Sequence, residues 1–155
     1  MNWTYFVLAA EQGRLKIGRA TDPKARLSAL RTASPCELEL VALLHGEEWE
    51  GWFHRTFASN REHLEWFRPT YLLVATIHYL VGRQRDLPEV RAFHHPAYWR
   101  KVERWRRELE DLAQSDAVPW AEWGRVKELA FTLATEHECP DDAPIALAYL
   151  ARCVG

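Results

Sequence analysis

Five side chains in the first third of this 155-residue chain carry chemistry at spacings that local structure can gather: Tyr5, Lys16, Arg26, Glu50 and His54. A phenol can pass or hold a proton, two cations can hold an anion, and a Glu–His pair one helical turn apart shares a helix face. Taken singly, each has an ordinary role. A strand tyrosine packs, an arginine sits on the surface, a helix carboxylate is solvated, and an i, i+4 Glu–His pair is a weak surface contact. Their weight comes from convergence, because the strands and helices that carry them are expected to deliver a phenol, two cations and a carboxylate to one face.

Those elements follow from local pattern. Trp3-Thr4-Tyr5-Phe6-Val7-Leu8-Ala9 is aromatic and β-branched, Gln12-Gly13 offers a turn, and Leu15-Lys16-Ile17-Gly18 continues as a second strand. With a four-residue loop, Tyr5 and Lys16 become diagonal neighbours on one sheet face. Asp22 can cap the next helix with Pro23 in its first turn, and Ala25, Leu27 and Leu30 give that helix apolar surface. Helical side chains lean toward the N-terminus, so Arg26 should reach back toward Gly18. Leu38-Glu39-Leu40-Val41-Ala42-Leu43-Leu44 is a third strand, and Trp49, Trp52, Phe53 and Phe57 mark a helix carrying Glu50 and His54 beside its aromatic stripe. Glu65-Trp66-Phe67 reads as a plug packing that region onto the sheet, with Glu65 a rival metal ligand. Pro69 opens a further apolar helix through about Val81.

The expected fold is α+β: a small three-stranded antiparallel sheet flanked by helices in residues 1–82, a linker over 83–97, and about three helices in 98–155. Tyr98, Val102, Trp105, Leu109 and Leu112 form a near-heptad seam, with Arg100, Lys101, Arg104 and Arg107 on a basic face. This helix could dock on the core and offer its basic face to DNA, use the seam for a homodimer or protein partner, or simply close the core. Helices over residues 120–137 and from Asp142 complete the region.

A net charge of −2 hides segregation. Lys plus Arg against Asp plus Glu runs 6 to 2 over residues 1–35, 3 to 7 over 36–82, 8 to 3 over 83–107 and 3 to 10 over 108–155. The basic opening suits phosphate contact, and the acidic end opposes it; solvated helix faces would give the same counts. Candidate backbone contacts are Arg14, Arg19, Lys24 and Arg31, with Arg61 and Arg68 beside the expected cleft. Cys36, Cys139 and Cys153 form neither a disulfide framework nor a zinc pair. His94-His95 and Glu136-His137-Glu138-Cys139 lack a recognised ligand spacing. No 18-residue apolar run or signal core is present, so a soluble, intracellular, cytoplasmic protein without a membrane partner is expected.

In order, Thr4-Tyr5-Phe6, Lys16-Ile17-Gly18, Pro23 with Arg26, residues 30–35, Glu50 with His54 and Phe57, and Glu65-Trp66-Phe67 resemble the GIY-YIG nuclease superfamily. The match is closest to its short phage and bacterial proteins with a K-I-G second motif. Trp3-Thr4 stands where a fuller pattern has Gly-Ile, Lys16 where many members have a second Tyr, and Leu30 where some carry a histidine. The resemblance implies that Glu50 holds one divalent metal, Mg²⁺ or Mn²⁺. It implies that Tyr5 positions or deprotonates the attacking water, that Arg26 neutralises the transition state, and that Lys16 donates to the phosphate. His54 would relay a proton, orient Glu50 or contact the backbone.

Two functions are therefore expected. The leading one is a metal-dependent endonuclease acting on DNA. The alternative is a catalytically inactive nuclease-like fold that binds nucleic acid or a protein partner.

Overall fold

In this computed structural model, the residues described are 2–93 together with Trp99, Arg100, Glu103 and Arg104. The helix seam from Tyr98 onward, the two later helices, His94-His95, Cys139 and Cys153 lie outside the described residues.

Strands β1 (Trp3–Ala9) and β2 (Arg14–Ala20) form the expected hairpin, joined by a 3-10 turn over Ala10–Gln12 and by Gly13 at φ 61. Tyr5 pairs with Gly18 and Val7 with Lys16, which makes Tyr5 and Lys16 diagonal neighbours on one face. β3 (Glu39–His45) pairs antiparallel with the other side of β1, with a register shift between Phe6 and Val7. β1 is therefore central, and all seven of its residues are buried.

The sheet has five strands rather than the three expected, in the order β3-β1-β2-β5-β4. β4 (Arg61–His63) and β5 (Trp66–Phe67) form a short hairpin whose second strand extends the edge of β2 through Leu15–Phe67 and Lys16–Trp66 pairs. Two- and three-residue strands are too short to show a period of two, and their pairing is defined by backbone bonds such as Ile17 N–H to the Glu65 carbonyl at 3.0 Å. Trp66-Phe67 is thus a strand of the sheet, not a plug against it.

Alternation along β1 divides the core in two. Phe6 and Leu8 join Leu15, Ile17 and Phe67 beneath α2 (Glu48–Thr56) and α3 (Tyr71–Gln84), where Trp52, Phe53, Phe57, Leu73 and Ile77 fill the layer. Burying side chains of this size contributes roughly 1.5–3 kcal/mol each. Trp3, Tyr5, Val7 and Ala9 face the other layer, where Leu27 and Leu30 of α1 (Pro23–Ala33) and Val90 of α4 (Pro88–Phe93) pack. α1 starts as its sequence requires, with the Asp22 carboxylate accepting from Ala25 N–H at 3.1 Å and Pro23 in the first turn.

The segment expected as a linker begins with the last turn of α3 and contains α4. Gln84 clamps α3 to the end of β3 by bonding both the amide and the carbonyl of His45, at 2.7 and 2.9 Å. Beyond it, Trp99 packs on both core layers and carries the Arg85 guanidinium over its ring, while Arg104 pairs with Glu39 at 2.7 Å. That places Arg104 at β3, the opposite side of the sheet from β5 and β4. No helix of the described residues is long and apolar enough to cross a membrane.

Candidate active site

Tyr5 is 2 % exposed and packs against Gly18, so closely that a Cβ at Gly18 would overlap its hydroxyl and ring. Only glycine leaves room for this approach. The phenol reaches Arg26, whose pKa is raised chiefly by a hydrogen bond with the Tyr5 hydroxyl and, further down, by the Glu65 carboxylate. Arg26 itself is exposed, so a buried phenol lies beside a cation that faces solvent.

Lys16 shares this face. Its ammonium meets a Glu65 carboxylate oxygen at 3.0 Å and sits 5.3 Å from the centre of the Trp66 ring, with the side chain 13 % exposed. Tyr5, Lys16, Arg26 and Glu65 thus form one connected group on the α1 side. Glu65 is the member that sequence reasoning placed elsewhere, as a rival metal ligand within a plug. Its link to Lys16 depends on the unexpected pairing of β5 with β2, for which the sequence carries no signal beyond the aromatic pair that follows it.

Glu50 and His54 arrive from α2, on the other side of the sheet, so the expected delivery of a phenol, two cations and a carboxylate to one face is not what the fold does. The two layers meet at the edge of β2 instead. Ile17 N–H points away from β1 to reach Glu65, and in a strand the carbonyl of the same residue points to the same side. That carbonyl accepts from His54 Nε2 at 2.9 Å, just beyond the end of β5. The imidazole also stands edge-on to Phe67, with ring centres 4.9 Å apart. Because a carbonyl only accepts, Nε2 must carry the proton, and the Glu50 oxygen 3.7 Å from the same nitrogen is too far for a hydrogen bond. His54 therefore anchors α2 to β2, next to the glycine on which Tyr5 rests.

This arrangement bears on metal binding. Among the described residues no three His, Cys, Asp or Glu side chains gather into a cage. Glu50 suits another kind of site: its side chain is 23 % exposed, and its neighbour His54 has the Nε2 proton committed to Ile17. A single partly exposed carboxylate fits a hard cation that keeps most of its waters.

A family model, the T5orf172 domain, matches residues 3–85, which is more than half of the chain. The chain belongs to the T5orf172 domain family. No curated protein and no solved structure matches it. The T5orf172 domain is a nuclease-type domain, and here it runs from β1 to the end of α3.

The other candidate cations are spread over the T5orf172 domain. Arg14 bonds the Gln12 and Gly13 carbonyls and pairs with Glu62 at 2.5 Å, which ties the β1–β2 turn to β4. Arg31 Nε donates to the Leu38 carbonyl at 3.0 Å and holds the end of α1 against the start of β3. Arg19, Lys24, Arg61 and Arg68 are exposed. The altered first motif also has structural work. Trp3 stands edge-on to His45, and the Thr4 hydroxyl, fully buried, donates to the Gly46 carbonyl at 2.9 Å.

Proposed function

We propose that this T5orf172 domain is a metal-dependent endonuclease of the GIY-YIG type that hydrolyses phosphodiester bonds in DNA. The observation that carries the reading is the Tyr5 hydroxyl, packed against Gly18 and beside Arg26, one residue from the Ile17 carbonyl that His54 of α2 reaches. A phenol beside a cation is placed to orient the attacking water, and takes its proton only after its own has passed to solvent. Arg26, kept charged, offsets the negative charge that builds on the phosphorus centre, and Lys16 supplies a second donor to a phosphate oxygen. Glu50 would hold Mg²⁺ or Mn²⁺, which supplies Lewis-acid stabilisation of that oxygen.

The exposed Arg19, Lys24, Arg61 and Arg68 serve in this reading as backbone contacts, and their contribution weakens with salt. Arg14 and Arg31 act through the fold.

The test is incubation of plasmid and linear DNA with the full chain and Mg²⁺ or Mn²⁺, beside Glu50→Ala and Arg26→Ala. Cleavage by wild type that both variants lose supports the reading. Equal product from all three proteins overturns it, and binding without any cleavage by wild type assigns the non-cutting alternative.

A further inference from the structure

Glu65 has no part in that chemistry, yet its carboxylate occupies the cationic group. It contacts the Lys16 ammonium at 3.0 Å and helps raise the pKa of Arg26. Its backbone is fixed as well, since the Glu65 carbonyl accepts from Ile17 N–H and the residue completes the two-residue turn between β4 and β5. The other turn residue, Leu64, has φ 50 and is 70 % exposed. A hairpin turn of this kind ordinarily takes glycine there, so Leu64 carries backbone strain at the point that aims Glu65.

A carboxylate and a phosphodiester present the same feature to a lysine and an arginine, a pair of anionic oxygens. We propose that Glu65 holds, in the free protein, the seat that a phosphodiester oxygen takes on Lys16 and Arg26, and yields it when nucleic acid binds. The inference rests on the phosphate-binding reading above.

Burial decides which partner moves. The Lys16 side chain is 13 % exposed and that of Glu65 40 %. An ammonium left alone in so closed a position is costly, whereas a carboxylate at the rim is rehydrated by a rotation of its own side chain. Lys16 therefore stays, always paired, and its anion is exchanged. Glu65 is a positioning residue in this scheme: it holds the Lys16 ammonium in place before substrate arrives, and competes with substrate for it.

The experiment measures binding of a short labelled DNA duplex to the full chain in EDTA, for wild type, Glu65→Gln, Lys16→Ala and the double variant. Glu65→Gln should tighten binding about two- to fivefold, the size of one partly exposed ion pair. The gain should vanish when Lys16 is already alanine, a coupling that a merely structural role would not produce. Glu65→Asp, which shortens the reach, should fall between wild type and Glu65→Gln. Unchanged or weaker binding by Glu65→Gln, with Lys16→Ala weakened, overturns the inference and leaves the phosphate reading standing. If Lys16→Ala binds as wild type does, the phosphate reading fails and the inference with it. In a separate Mn²⁺ titration without EDTA, loss of Mn²⁺ binding by Glu65→Gln overturns the inference by making Glu65 a metal ligand.

Discussion

The Tyr5 hydroxyl occupies the space that a Cβ at Gly18 would need. The glycine of the second strand is thus the seat of the tyrosine of the first, and the two motifs act as one unit across a paired register. Gly18→Ala should push the phenol off its seat and cut DNA cleavage by about a hundredfold, as expected for a catalytic group misplaced by about 1 Å. Tyr5→Phe, which keeps the ring, should lose the same activity without the strain. Cleavage time courses with both variants check this, and a Gly18→Ala enzyme as fast as wild type would sink the claim.

Glu50→Gln should remove metal-dependent cleavage by about a hundredfold or more while leaving the fold intact, because its contact with His54, at 3.7 Å, is longer than a hydrogen bond. Mn²⁺ titration by isothermal calorimetry reads the binding directly. Undiminished Mn²⁺ binding by the variant would place the metal elsewhere.

His54 is expected to matter more to stability than to proton transfer. Removing it leaves the Ile17 carbonyl without its donor and Phe67 without its edge-on neighbour, a cost of about 1–3 kcal/mol. His54→Ala should therefore lower the urea midpoint. His54→Gln, which can restore a donor, should recover part of both stability and cleavage, whereas recovery of stability without cleavage would argue for a proton-transfer role.

Leu64→Gly should stabilise the chain by about 1 kcal/mol, since it removes a left-handed Leu from a turn where the side chain packs against nothing that buries it. Thermal unfolding at matched concentration gives the answer, and a lowered midpoint would mean that Leu64 makes contacts that outweigh its backbone cost.

Arg26 has a pKa raised by the Tyr5 hydroxyl and by Glu65, so folding favours its charged form. The sign follows from linkage: the stabilisation is complete below the ordinary guanidinium value and is lost only as pH climbs through the raised one. Binding that depends on Arg26 should therefore hold constant from about pH 6 to about pH 10, well below where a guanidinium titrates. Comparing wild type with Arg26→Ala across that range tests it, because a ratio that falls with rising pH would show another titrating group behind the effect.

The sequence by itself determined the parts of this protein that local rules govern. Alternation and a four-residue connection set the β1–β2 register and made Tyr5 and Lys16 neighbours. Asp22 and Pro23 started α1, and the aromatic spacing of Trp49, Trp52 and Phe53 fixed which face of α2 is buried and so which carries Glu50 and His54. The tertiary structure alone decided the rest, because its causes lie far apart in the chain. Strands β4 and β5 are too short to show a period; β5 exists by pairing with the edge of β2, some fifty residues earlier, and β4 by pairing with β5. That pairing carries Glu65 to Lys16 and stops just short of the Ile17 carbonyl, leaving it for His54. The phenol, the cations and Glu65 lie on the α1 side and Glu50 with His54 on the α2 side, since α1 and α2 cover opposite sides of a sheet whose side chains alternate and whose apolar residues must be buried on both.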